Sequence, residues 1–218
     1  MTRFSLPPVP EALPLLMAWN ANSDIEDGPA RSHNGAAQSV RAAARDVVAF
    51  WRDAGPSLWF AKNDEFDRRF RTLFLALHEA GARGELDKWC SSTEGALALV
   101  ILLDQFPRNA FRGTARMYAT DRRARPVADA AIAAGHDRAV DNEMARFFYL
   151  PFAHSEDMAD QERAVALVAR LGEPDLSHAR GHRDIVQRFG RFPHRNPILG
   201  RAMTAEEQGY LDSGGYRG

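Results

Sequence analysis

From Val40 onward apolar residues recur at spacings of three and four, the period of a helix with one buried face. Ala44, Val47, Val48 and Trp51 form a first stripe, which Gly55 and Pro56 end. Phe66, Phe70, Leu73, Phe74 and Leu77 form a second that closes near Gly81 and Gly84, and residues 85–89 add a short turn. Ser92 and Thr93 are good N-cap types for the run 94–106, whose apolar centre at 96–103 predicts a helix buried on most sides. Pro107 is expected to stop that helix, because proline lacks the amide proton and disfavours helical geometry in the residue before it. A loop over 108–113 follows, and Thr120 then caps a helix that runs to about Ala134, with Gly135 beyond it. Asp141 opens the next helix, carrying Met144, Phe147, Phe148 and Leu150 and ending before Pro151. Ser155 opens another, with Glu156 and Asp157 at the positive end of its dipole and Met158, Val165, Val168 and Leu171 facing inward as far as Gly172. A helix starting at Asp175 or Ser177 reaches Phe189 before a loop over 190–201. Thr204 and Glu207 have capping-box spacing for a short last helix.

No β-strand alternation competes with these assignments, so the sequence predicts an all-α fold. It reads as a single domain of about eight antiparallel helices in a helical array, spanning residues 45–218. Residues 1–44 hold Pro7, Pro8, Pro10, Pro14, Pro29 and a polar stretch at 20–34, and read as an N-terminal arm that is partly ordered, only where it docks. Hydrophobic residues at 45% and charged residues at 26% of 218 agree with a soluble globular chain. The formal charge of −1 gives no global field toward nucleic acid or an anionic membrane, so neither is expected as a partner. Cys90 is the sole cysteine, which excludes an intramolecular disulfide or a multi-cysteine metal site and suits a reducing cytoplasm. The apolar stretches at 13–19 and 96–103 are too short for a membrane span or, in the first case, a secretory leader.

Familiar catalytic signatures are missing. There is no Gly-Lys pair for a phosphate-binding loop, no Gly-x-Ser-x-Gly, no His-Glu-x-x-His and no EF-hand loop. Polar residues gather instead at helix ends in the second half: Asp104, Gln105, Arg108 and Asn109; His154, Ser155, Glu156 and Asp157; His182 and Arg183; Arg191, His194, Arg195 and Asn196. Six arginines stand against Asp121 in residues 108–125, and six against Asp184 in 178–201, whereas six acids stand against Arg146 in 141–162. Stretches of such opposite charge in one compact domain are expected to pair internally. Arg108 and Arg195, each following a Phe-Pro pair, could instead converge on an anion, since arginine forks suit carboxylate and phosphate alike. His154 could act as a general acid or base held by Glu156 or Asp157. His178 and His182 share a helix face, and with His154 or His194 and a carboxylate they have the residue types of a zinc or iron site. No metal or other cofactor is assigned on that basis. Cys90 and the aromatics Trp51, Trp59, Phe60, Phe66, Phe70 and Phe74 read as core.

Five separated motifs carry a resemblance. They are Phe50-Trp51 with Trp59-Phe60; Gly84-Glu-Leu-Asp-Lys-Trp89; Leu102-Leu-Asp-Gln-Phe-Pro-Arg-Asn109 with Phe111-Arg-Gly113; Tyr149-Leu-Pro-Phe-Ala-His-Ser-Glu-Asp157 with Asp160-Gln-Glu-Arg163; and Arg188-Phe-Gly-Arg-Phe-Pro-His-Arg-Asn196 with Leu199-Gly-Arg201. In this order, over roughly residues 46–212, the chain resembles the bacterial family catalogued as domain of unknown function 924. The resemblance implies an all-helical, tetratricopeptide-like fold and implies no activity. Two function classes follow from the residues. One is a pocket in which Asp104, Gln105, Arg108, Asn109, Arg191, Arg195 and Asn196 bind a small anionic molecule while His154, Glu156, Asp157, His182 or His194 moves a proton. The other is a scaffold that binds a peptide or protein partner along its helices. The first requires the His154 and His194 segments to meet in space.

Overall fold

The computed structural model describes residues 33–218, with side chains from residue 42 onward; most of the predicted arm lies outside the described residues. Among these residues the chain is all helical, with no strand. Helix α1 (His33–Ala54) starts within the stretch read as the arm and ends at Gly55, whose φ of 67° only glycine adopts easily. A single turn, α2 (Pro56–Trp59), brings Trp59 back so that its indole N–H donates to the Trp51 carbonyl at 2.6 Å. Helix α3 (Asp64–Arg83) is capped by the Asn63 side chain, which accepts from Glu65 N and Phe66 N at 3.1 and 2.9 Å. A 3₁₀ turn (Asp87–Ser91) leads to α4 (Thr93–Val100), capped by Ser92.

Two prolines depart from the sequence expectation. Pro107 does not stop the helix: the chain passes from α4 through a wide π turn (Ile101–Gln105) into α5 (Phe106–Ala110). The loop expected from residue 108 therefore begins only after Ala110. Pro151 does not stop the helix either, and lies buried inside α7 (Asn142–Ala153). Between them runs α6 (Asp121–Ala133), followed by a 3₁₀ turn at His136–Arg138. Helix α8 (Met158–Val168) is capped by Asp157 and not by Ser155; α9 (Asp175–Phe189) and α10 (Ala205–Asp212) complete the chain. Thr204 and Glu207 form the expected capping box at α10.

Helix α4 with its wide turn is the axis of the fold. Residues 96–103 are all buried, because α1, α3, α6 and α7 pack around them. Trp51, Phe66, Phe70, Phe106 and Phe147 fill the centre with tilted and edge-on ring contacts 5.0–6.0 Å apart. From α7 the chain continues as neighbours, α8 on α7 and α9 on α8. A second, smaller apolar cluster of Ile185, Val186 and Phe192, flanked by Met158, Phe189 and Tyr210, lies under the C-terminal segment. The oppositely charged stretches do pair: Arg125 with Asp160 at 3.1 Å and Arg201 with Glu156 at 2.8 Å. Among the described residues no helix is long and apolar enough to cross a membrane.

Candidate functional site

A π turn carries one more residue than an α turn and leaves carbonyls without their usual amide partners. Pro107, which has no N–H, withdraws a further one. Side chains take over: the His78 ring meets the Leu102 carbonyl through Nδ1 at 2.8 Å, the Thr120 hydroxyl donates to Leu103 O at 2.6 Å, and Arg108 Nη1 donates to Asp104 O at 2.5 Å. Thr120 therefore secures the turn instead of capping α6. The widened backbone presents Asp104 inward, where it has no exposed surface.

Three side chains surround the Asp104 carboxylate. Gln105 Nε2 donates at 2.6 Å, Arg108 Nη1 lies 3.3 Å away, and His154 Nδ1 lies 2.9 and 3.0 Å from its two oxygens. Burial works to raise its pKa, but Arg108, His154 and the hydrogen bonds outweigh burial and hold it down at about 2. His154 is pushed down by burial and by Arg108, against the pull of Asp104. The pair therefore stands as carboxylate and neutral imidazole at neutral pH. That fixes Nδ1 as the proton-bearing nitrogen and leaves Nε2 with a lone pair. His154 owes its place to the proline that fails to end α7: it is the C-cap of that helix, its N–H bonded to Leu150 O at 2.9 Å.

Arg108 and Arg195 do converge, and the anion between them is Asp121. Arg108 binds it through two parallel bonds of 2.9 and 3.0 Å, while Arg195 Nη1 stands 3.9 Å from it. Arg195 also donates to the His154 carbonyl at 3.0 Å and lies over the rings of Tyr118 and Phe192 at 4.6 and 4.5 Å. It is only 7% exposed and its Nε has no partner. Burial and the nearby Arg108 lower its pKa, so the positive charge here is incompletely compensated.

The histidine segments meet. The His182 ring is 6.4 Å from His154, and Tyr216 bridges onward, 4.8 Å from His182 and 5.1 Å from His194. Burial first, then neighbouring positive groups, push His182 down to about 3 and His194 down to about 4. The Nδ1 of each is buried without a partner. His154 and His182 line a cavity of about 770 Å³, a size suited to a small molecule. The cavity takes wall residues from the main core, such as Ala153, Val168 and Ala179, and from the small cluster, such as Ile185, so it lies at the seam between them. Among the described residues no group of three or more His, Cys, Asp or Glu side chains is placed to hold a metal ion.

The other predicted candidates hold backbone and loops. Glu156 accepts from Phe192 N at 2.9 Å and pairs with Arg201, tying the 190–201 segment to the start of α8. Asp157 accepts from Ala159 N and Asp160 N as an N-cap. Arg191 grips Glu207 with two bonds of 2.6 and 2.9 Å, and Asn109 donates to Asp67, which also binds Arg112. Asn196 is buried, with its amide 3.4 Å from the Met203 sulfur and its Oδ1 unpartnered. The Phe106-Pro-Arg and Phe192-Pro-His-Arg segments differ in backbone: Phe106 is helical, whereas Phe192 is extended.

A sequence model of a bacterial protein of unknown function (DUF924) matches residues 47–215. The chain belongs to this family. A solved structure similar to this chain, that of the protein of unknown function ATU0120 from Agrobacterium tumefaciens, is 57% identical over 79% of this chain and 98% of its own, with a TM-score of 0.78. No curated protein matches. In this DUF924 protein the matched segment includes Asp104, Arg108, His154, His182, His194 and Arg195, while Tyr216 falls one residue beyond it. Sequence reasoning missed Tyr216, Phe60, Asp121, Tyr118 and Gly181 as site-forming residues. One signal was available for Gly181, a glycine between two histidines inside a predicted helix.

Proposed function

We propose that this DUF924 protein binds a small acidic molecule in the cavity at the C-terminal end of α7, and that the His154–Asp104 pair exchanges a proton with it. The observation that carries this reading is the 2.9 Å contact between His154 Nδ1 and a carboxylate with no exposed surface, made by a histidine that lines the cavity. Such a contact fixes the tautomer and orients a basic nitrogen, as a general base requires. Arg195, with its lowered pKa and unpartnered Nε, favours a ligand that brings negative charge.

A tetratricopeptide-like scaffold that holds a peptide is the alternative. It gains support from the exposed Phe60 and Tyr216 at the cavity. It loses support from the gathering of buried polar groups at one end, where a peptide groove would repeat side chains along successive helices. Native mass spectrometry of the purified protein tests the proposal, together with ¹⁵N-histidine spectra recorded during titration with carboxylates and phosphates. We expect a retained or added acid that shifts the His154 Nε2 resonance and is lost in His154→Gln. An unshifted resonance across the whole panel refutes the proposal.

A further inference from the structure

We infer that the ligand has a flat apolar body, of aromatic type, attached to one acidic head; this rests on the reading above and specifies its ligand. The cavity wall is mainly apolar, with Leu150, Ile185 and Phe189 among its lining beside the charged Arg146, Asp175, Asp184 and Arg188. The large hydrophobic side chains exposed among the described residues are Phe60, at 58%, and Tyr216, at 41%, and both line this cavity. Exposed aromatics gathered at one concave surface mark a place where apolar surface is covered by something else.

Helix α9 supplies the second observation. Much of α9 lines the cavity, from Asp175 to Phe189 and over more than one side of the helix, and Gly181 lies among these residues between His178 and His182. A glycine inside a helix lowers its stability relative to alanine. Nothing local demands one here. Gly181 has no positive φ, and a Cβ built on it meets nothing within 4 Å. The missing side chain leaves a flat stretch of backbone between His178 and His182, on which a planar group can lie in van der Waals contact. Its head then reaches His182 and His154, with Arg195, whose charge Asp121 compensates only in part, behind them.

Three probes separate the parts. 8-Anilinonaphthalene-1-sulfonate carries body and head, N-phenyl-1-naphthylamine the body alone, and sulfate the head alone. We expect saturable 1:1 binding of the first, with a Kd about tenfold or more below that of the second, as loss of one charge-assisted contact implies. Sulfate is expected to displace it only at far higher concentration. Gly181→Leu should weaken the sulfonate probe by about tenfold while raising Tm by about 2–4 °C, the shift expected from a better helix former in a chain of this size. Gly209→Leu is the control: Gly209 is an exposed helical glycine off the cavity, also with nothing within 4 Å of its Cβ, and should raise Tm without changing binding. Displacement by sulfate as effective as that by the full probe overturns the apolar body and leaves the acid site standing. Equal affinity for the two naphthyl probes overturns the acidic head, and with it the reading beneath. Absence of saturable binding, or unchanged binding in Gly181→Leu, overturns the inference.

Discussion

Acidification tests the histidine cluster without knowledge of the ligand. His182 and His194 are held at about 3 and about 4 in the folded chain, first by burial and then by positive neighbours. In the unfolded chain both return to about 6.5. The folded state therefore binds fewer protons between these values, so stability rises with pH through the window and is lost as pH falls below about 6.5. One proton corresponds to about 1.4 kcal/mol per pH unit, so between about pH 6.5 and about pH 5 each histidine removes about 2 kcal/mol and the pair about 4 kcal/mol. His78 and His154, also lowered mainly by burial, act in the same direction. The lowered carboxylates of Asp104, Glu156 and Glu207 do not interfere, because the stability they contribute is lost only as pH falls below the unfolded carboxylate range near 4. Urea unfolding followed by circular dichroism at several pH values gives the slope, and His182→Gln should recover about 2 kcal/mol of the loss at about pH 5. A stability that stays flat across the window, or a folded His182 that titrates near its ordinary value by NMR, refutes the reasoning.

Asp104→Asn removes one of the two carboxylates that face Arg108 and the charged acceptor of His154 Nδ1, and should cost about 1–3 kcal/mol, measured by denaturation, while ¹⁵N shifts show His154 released from its single tautomer. Thr120→Val leaves the Leu103 carbonyl unpaired and should cost about 1–3 kcal/mol by the same measurement. Glu156→Gln should speed amide exchange at Phe192 by about tenfold, through loss of a charge-assisted bond worth about 1.5 kcal/mol or more, and leave exchange in α3 unchanged.

The stripes from Ala44 to Trp51 and from Phe66 to Leu77 placed α1 and α3 because a helix that buries one face must repeat its apolar residues at that spacing. Asp104, Arg108, His154, His182, His194 and Arg195 stand out in the sequence as candidates, since polar residues crowded at helix ends are conspicuous. Pro107 and Pro151 both read as helix ends, and both lie inside helices. A proline's cost in a helix depends on who satisfies the carbonyls it leaves, and at Pro107 the answer lies in His78 and Thr120, far away in the chain. Roles divided along the same line. Nothing in the order of residues says that Glu156 meets Arg201 while His154 meets Asp104, because partners 45 and 50 positions apart are chosen by packing. Phe60 read as core for want of any local sign that its ring would face a cavity.

The wide turn at 101–105 also bears on how such a chain can change its length. Each helical residue rotates the chain by about 100°, so the extra residue sets the angular phase of everything that follows it in the same helix. Deleting any one residue there would restore ordinary winding, yet it would swing Arg108 away from Asp121 and Asn109 away from Asp67 together. The site is thus inherited as a register as well as a set of side chains. Substitution can sample the five positions one at a time, whereas an insertion or deletion moves both polar anchors in a single step.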